Sequence, residues 1–126
     1  MIKELNKLLD NVYAPYSNFR VAAIVETSDG VLFSGVNIEN ASYGNTVCAE
    51  RVAILKAVSE GYRNFKCMHV LCADSKKLSM PCFICRQTIS EFFDKEANIY
   101  IYNNEESKVL KVKELCPFPF NDEDLK

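Results

Sequence analysis

The sequence predicts an α/β fold, a three-layer α/β/α sandwich around a mixed five-stranded sheet. Three observations support this. Apolar residues near the N-terminus repeat at helical spacing, several short runs rich in β-branched and aromatic residues have strand length, and helix start and stop signals fall between those runs. The 126 residues, 48% of them hydrophobic and 25% charged, suit one domain over 1–126 with a real core, so disorder is not expected.

Ile2, Leu5, Leu8, Leu9 and Val12 set the period of a first helix. Phe19 to Glu26 then reads as a strand and leads through the turn residues Ser28-Asp29-Gly30 into a second, Val31 to Val36, so the pair forms a hairpin. A second helix is expected to open near Thr46 as N-cap, run through Cys48 to Ser59 and stop at Gly61, a residue suited to the left-handed position after a helix. Lys66 to Ala73 follows as a buried strand. Ser79-Met80-Pro81 announces a third helix through Cys82 to Phe93, with Pro81 in its first turn. Asn98 to Tyr102 and Lys108 to Val112 supply the last strands, Lys113 to Leu115 a helical turn, and a C-terminal tail completes the order α-β-β-α-β-α-β-β.

If the second, third and fourth strands run in one direction, right-handed crossovers place the second and third helices side by side on one face. Their N-termini then share the edge at the carboxyl ends of the strands, where open α/β sheets carry their sites. That brings Cys48 towards Cys82 and Cys85.

Composition narrows the function classes. A formal charge of −2, with Lys and Arg interspersed among Asp and Glu, argues against a face built to neutralise nucleic-acid phosphates. No apolar run reaches the length of a membrane span, and Met1-Ile2-Lys3-Glu4-Leu5 lacks a signal-peptide apolar region, so a cytoplasmic location is expected. The six cysteines are accordingly read as reduced thiols, some of them metal ligands, rather than as a disulfide framework.

Cys48-Ala49-Glu50 and Pro81-Cys82-Phe83-Ile84-Cys85 carry the chemistry. Zn²⁺ prefers four tetrahedral ligands, so three thiolates leave a position for water, whose pKa zinc lowers to about 7. Cys82 and Cys85, spaced i and i+3, share one side of their helix. Two helix N-termini aimed at one metal favour thiolates, because exposed N–H groups stabilise negative charge. Three thiolates outweigh the charge of the metal and weaken it as a Lewis acid, so a nearby cation is expected; Arg51 is the first candidate and Arg86 the second. Glu50, two residues after the first ligand, can handle the proton of the water. Two other readings stand beside this one. A purely structural Cys₄ site would recruit Cys67, Cys72 or Cys116 as fourth ligand, and a Cys82–Cys85 redox pair would leave Cys48 and Glu50 without a part.

Four segments occur in order: Tyr13-Ala14-Pro15-Tyr16-Ser17-Asn18-Phe19, Asn37-Ile38-Glu39-Asn40-Ala41-Ser42-Tyr43, Cys48-Ala49-Glu50-Arg51, and Pro81-Cys82-Phe83-Ile84-Cys85-Arg86-Gln87. With them the chain resembles, over nearly its whole length, the cytidine deaminases of the small, homotetrameric, zinc-dependent type, whose metal-ligand pattern is shared by zinc nucleobase deaminases generally. The resemblance implies one Zn²⁺ per subunit on Cys48, Cys82 and Cys85, attack of an activated water on C4 of the pyrimidine, and transfer of its proton by Glu50 to N3 and then to the departing amine. Cytidine and 2′-deoxycytidine would thus yield the uridine products and ammonia, in pyrimidine salvage. It is a hydrolase reaction at a carbon–nitrogen bond of a cyclic amidine.

The resemblance also implies substrate contacts. Asn37 and Glu39, two apart on an extended segment, project from one face and would hold the ribose 3′-hydroxyl. A carboxylate there repels a phosphate, and no Gly-rich cradle or basic cluster offsets it, so a free nucleoside is expected. Phe19 would pack against the substrate and the Ala49 N–H would donate to the pyrimidine carbonyl. Ala41 would lie beside the 5′ end of the nucleoside in a neighbour's site, Tyr43 near the subunit junction, and Phe120 would stack on the base in a neighbouring pocket. Without the motifs, Phe19 would read as core and Leu115 to Phe120 as a tail folded over its own chain.

Two positions depart from the family pattern: Phe83-Ile84 replaces a small pair between the cysteines, and Ala22 a glycine. His69, the only histidine, is read as a partnered sheet residue, and Cys67 and Cys72 as small buried apolar residues. Glu105-Glu106 and Asp122-Glu123-Asp124 read as solvated charge. The competing functions are a deaminase of the same fold acting on another aminated ligand, of the blasticidin-S type, and a non-catalytic zinc-stabilised module.

Overall fold

The computed structural model describes residues 1–126, in which α1 (Ile2–Leu8) runs directly into a 3₁₀ turn over Leu9–Asn11. Strands β1 (Val21–Thr27) and β2 (Leu32–Val36) form the expected hairpin. Helix α2 (Ala49–Ser59) leads to β3 (Phe65–Cys72), and α3 (Phe83–Phe92) leads to β4 (Phe93–Tyr102). Strand β5 (Ser107–Lys111) and the short helix α4 (Val112–Leu115) precede the tail, which ends in a 3₁₀ turn at Asp122–Leu125.

The sheet order is β2-β1-β3-β4-β5. Both β2 and β3 are antiparallel to β1, and β3 is parallel to β4, so β2, β3 and β4 share one direction. The crossovers β2–α2–β3 and β3–α3–β4 put α2 and α3 on one face, α4 joins them there, and α1 alone covers the other. Three layers around a mixed five-stranded sheet are therefore present. Alternation along β1 shows the layering: Val21, Ala23 and Val25 enter the larger core with Ala53, Ile54, Met68, Ile89 and Ile99, while Ala22 and Ile24 pack with Leu5, Leu9 and Leu71. Both faces of β1 are buried, which is why Val21 to Val25 is continuously apolar.

Three boundaries differ from expectation for identifiable physical reasons. Thr46 is not the N-cap of α2; Val47 forms a bridge with Ile38, so the chain stays extended until Cys48, which caps the helix. Pro81 likewise lies outside α3, whose N-cap is Cys82. Gly61 does adopt a positive φ of 101° just past the α2 terminus. Strand β4 begins at Phe93 rather than Asn98, because it pairs with Phe65 before an irregularity that carries Asp94 to Ala97 out of the ladder. Charged residues there hid the strand: Asp94 accepts from the Glu96 N–H, and Glu96 pairs with Lys111 and Lys113.

One close approach positions the site. A Cβ at Gly35 of β2 would lie 2.5 Å from the Ala49 carbonyl oxygen and 2.5 Å from the Ala53 nitrogen. Ala49, Ala53 and Ala57, one helical turn apart and fully buried, complete the contact on the α2 side. Small residues on both partners let the helix sit low on the sheet, which sets the height of its N-terminus.

Candidate functional site

The two helix starts bring three sulfurs together. Cys48 and Cys82 are the N-caps of α2 and α3, both in extended conformation, and Cys85 is the third residue of α3 and fully buried. Their sulfurs all lie within 4.8 Å of one another, with Cys82 Sγ 3.4 Å from Cys85 Sγ and 3.9 Å from Cys48 Sγ. No other His, Cys, Asp or Glu joins the group, so Cys67, Cys72 and Cys116 supply no fourth ligand. Three convergent soft donors on two helix N-termini fit Zn²⁺ with a tetrahedral position to spare.

The surroundings carry the charge that such a cluster needs. Arg51 Nη2 sits 3.9 Å from Cys48 Sγ and donates to the Thr46 carbonyl at 3.1 Å, while its buried Nε has no partner. Burial disfavours the Arg51 charge, but the Cys48 and Cys85 sulfurs outweigh it and hold the guanidinium above its usual pKa. Cys48 is held down to about 5, chiefly because the Cys85 thiol donates to it and secondly because Arg51 does. Cys85, as that donor and as a buried thiol, is pushed up. Arg86 points elsewhere, to the carbonyls of Pro81 and Leu115.

Glu50 occupies the first turn of α2 and is 5% exposed. Burial pushes its carboxyl up to about 7, with the Cys48 charge reinforcing the shift and Arg51 opposing it. A carboxyl poised there can both accept and return a proton near neutral pH.

These groups open onto a cavity of about 190 Å³ whose wall includes Phe19, Asn37, Cys48, Ala49, Glu50 and Cys82. Ala49 is the first residue of α2, where a backbone N–H has no acceptor within the helix. Asn37 is buried and spans two backbone groups, accepting from the Val21 N–H at 2.9 Å and donating to the Phe19 carbonyl at 2.7 Å. Glu39 does not line the cavity. It accepts from the Tyr16 and Ser17 N–H groups and from the Ser17 hydroxyl, bonds that hold its carboxylate below the usual range. Both residues thus shape the segment that presents Phe19. Ala41, Tyr43 and Phe120 are exposed and stand outside this chain's own cavity; Tyr43 packs edge-on against Tyr16 with ring centroids 5.9 Å apart.

Thr46, Ser79 and Met80 also line the cavity, and so does Cys72, whose thiol burial pushes up to about 12. In the sequence Thr46, Ser79 and Met80 read only as helix-start signals and Cys72 as a buried thiol or a structural fourth ligand, so none of them is assigned to the pocket there. Ser79 and Met80 stand within three residues of Cys82, which is the available signal, whereas Cys72 offers none for a pocket wall. Arg20 was missed too: its backbone N–H and guanidinium make three bonds of 2.9 to 3.0 Å to Asp74, tying the Phe19 segment to the end of β3. His69 lies on the α1 side of the sheet, bonded to the Tyr102 hydroxyl at 2.9 Å and stacked on Tyr100, as a partnered sheet residue.

A depression of about 500 Å³ beside Ile38, Val47, Val52 and Leu55 on the outer side of α2 is larger, but none of the sulfurs nor Glu50 borders it. The chemistry belongs to the smaller cavity.

Known proteins place this arrangement. Residues 1–101 match the family described as the cytidine and deoxycytidylate deaminase zinc-binding region. A cytidine deaminase of Sporosarcina psychrophila is 43% identical over 99% of this chain and 92% of its own length, and one of Halalkalibacterium halodurans is 41% identical over 99% and 95%. The crystal structure of a cytidine deaminase from Burkholderia pseudomallei superposes with a TM-score of 0.89 at 36% identity, covering 94% of this chain and 95% of that one.

Proposed function

We propose that this chain, which belongs to the family of the cytidine and deoxycytidylate deaminase zinc-binding region, hydrolyses cytidine and 2′-deoxycytidine to the uridine products with release of ammonia. The observation that carries the reading is the juxtaposition of the three-sulfur cluster with the buried Glu50 at the rim of one cavity. Cys48, Cys82 and Cys85 would hold the zinc ion, which when bound supplies Lewis-acid activation of water near neutral pH. Arg51 offsets the thiolate charge. A Glu50 carboxylate oxygen would take a proton from the attacking water and deliver it to N3 of the pyrimidine, then take the remaining proton of the hydroxyl formed at C4 and pass it to the amine, which leaves as ammonia as the C4 carbonyl forms. Burial of Glu50 favours this double duty, since its two protonation states are close in energy at pH 7.

For the substrate, the Ala49 N–H is assigned to the pyrimidine carbonyl, Phe19 to the base, and Asn37 with Glu39 to the ribose hydroxyls. Glu39 already accepts from Ser17, so a sugar hydroxyl would share its carboxylate with that side chain. The cavity is below the roughly 300–1,000 Å³ of a complete small-molecule site, which suits a pocket finished by other chains. Exposed Tyr43 and a tail that leaves Phe120 57% exposed favour a homotetramer in which Ala41, Tyr43 and Phe120 serve a neighbour's site. No helix is long and apolar enough to cross a membrane, and the reading includes a cytoplasmic place in pyrimidine salvage.

Glu50→Gln tests the chemistry. The variant is expected to keep its zinc and lose more than the roughly 10²–10⁴-fold typical of acid–base catalysis, because one residue serves several steps. Ammonia release measured alongside zinc content decides it: turnover at an active parent's rate would remove Glu50 from the proton transfers, and no ammonia from either zinc-loaded protein would leave the non-catalytic zinc module as the better reading. Comparing cytidine with cytosine, CMP and blasticidin S tests the substrate, and failure to consume cytidine would exclude it.

A further inference from the structure

Two consecutive side chains that the proposed chemistry leaves unused, Arg86 and Gln87, directly follow Cys85 and both reach the C-terminal segment. Arg86 Nε donates to the Pro81 carbonyl at 2.7 Å and Nη1 to the Leu115 carbonyl at 3.0 Å, with the guanidinium 4.3 Å over the Phe83 ring. Gln87 Nε2 donates to the Phe120 carbonyl at 2.8 Å. Beyond Leu115 the segment has little else to fix its course. Phe118 is wholly exposed with φ at 52°, Phe120 is mostly exposed, and Pro117 and Pro119 have no N–H to donate. Its direction therefore comes from hydrogen bonds to α3 rather than from burial of its aromatic rings.

We propose that Gln87, backed by Arg86, is a positioning residue that sets where the Phe120 ring leaves its own chain and so where it enters a neighbour's cavity. The inference rests on the reading that the tail completes a neighbouring site. Both anchors grip backbone carbonyls, so they fix the path of the chain while leaving the ring free to project. They also start from the helix turn that carries Cys82 and Cys85, so the tail is referenced to the metal ligands of its own subunit. The buried Leu115, with the Arg86 bond to its carbonyl, fixes where the tail begins, and the Gln87 contact fixes the residue that matters five positions later.

Gln87→Leu keeps the side-chain size and removes the donor. In the zinc-loaded full-length protein it is expected to raise KM for cytidine about three- to tenfold, the worth of one hydrogen bond, with kcat within about twofold. Chymotryptic cleavage after Phe120 should quicken several-fold, while zinc content and oligomeric mass stay at parental values. Unchanged cleavage, or faster cleavage with unchanged KM, would overturn the proposal, as would a fall in kcat accompanied by zinc loss. Phe120→Ala, assayed in parallel, separates the two ideas. If Phe120→Ala leaves KM unaltered, the shared-site reading fails and this inference with it; if it raises KM while Gln87→Leu does not, only the positioning role fails.

Discussion

Arg20 and Asp74 show how a single ion pair can serve a site without touching it. The Arg20 guanidinium bonds both Asp74 carboxylate oxygens and its N–H one of them, so Asp74 is held below its ordinary carboxylate range chiefly by hydrogen bonds from Arg20. A depressed carboxylate pKa stabilises the fold above its unfolded value near 4, and that contribution disappears as pH falls through the folded value. Asp74→Asn is therefore expected to melt about 2–4 °C below the parent at pH 7, a modest gap because the pair is partly exposed, and the gap is expected to close as pH falls below about 4 through the folded value. A gap that persists at acid pH would mean that packing, not charge, makes the contribution. The sequence did not reveal this pair, because its members lie 54 residues apart. Cys48, Cys82, Cys85 and Glu50 were legible because the geometry of a metal and its proton acceptor demands fixed local spacings. Glu39 illustrates the boundary between the two: an extended segment does place it on the same face as Asn37, but only the folded chain shows its carboxylate engaged with the Tyr16–Ser17 turn.

At the scale of elements, the seat of α2 on the sheet controls the site. Gly35 lets the Ala49 carbonyl and Ala53 nitrogen approach β2 to a distance that no Cβ tolerates, and the residues displaced by any added bulk are those flanking Cys48 and Glu50. Both opposing atoms are backbone, so relief requires moving the helix. Gly35→Ala is expected to cost about 1–3 kcal/mol of unfolding free energy and to lower zinc retention and turnover together. Denaturant melts paired with metal analysis check this, and a variant with parental stability and zinc would show that the contact does not fix the helix. Helix and strand identities were readable from period and caps, but starts were not. Thr46 and Pro81 have the chemistry of a cap and a first-turn residue, yet the bridge between Ile38 and Val47 and the extended turn at Cys82 put the ligands themselves at the helix starts. Tertiary pairing also created the early part of β4, whose charged residues gave no strand signal.

Across the whole molecule, large apolar side chains stand exposed at Tyr13, Tyr16, Ile38, Tyr43, Leu55, Phe83, Ile84, Phe118 and Phe120. Tyr16 and Tyr43 touch, and Ile38 and Leu55 line one depression, so part of this apolar surface is clustered, as it is where chains associate. The proposed tetramer would have four times the 14.3 kDa of one chain, and sedimentation at micromolar concentration tests that mass. Dilution to the point of dissociation is expected to lower activity per chain by at least tenfold, because each pocket would lose a neighbour's Phe120. Full activity in a monomer would refute shared sites. Phe83 is 76% exposed between two ligands and carries Arg86 on its ring, so the departure from a small pair places bulk on the outside and leaves the sulfurs together. The sequence by itself determined the three-cysteine donor set, the carboxylate two residues after the first of them, and the order of helices and strands, since each depends on residue types at short, local spacings. Only the tertiary structure decided that the two capping cysteines meet, that Glu50 is dry enough to titrate near 7, that Asn37 and Glu39 brace the Phe19 segment, and that α3 steers the tail. Those outcomes depend on distances between residues remote in the chain, which the direction of β2, β3 and β4 and the close packing at Gly35 set together.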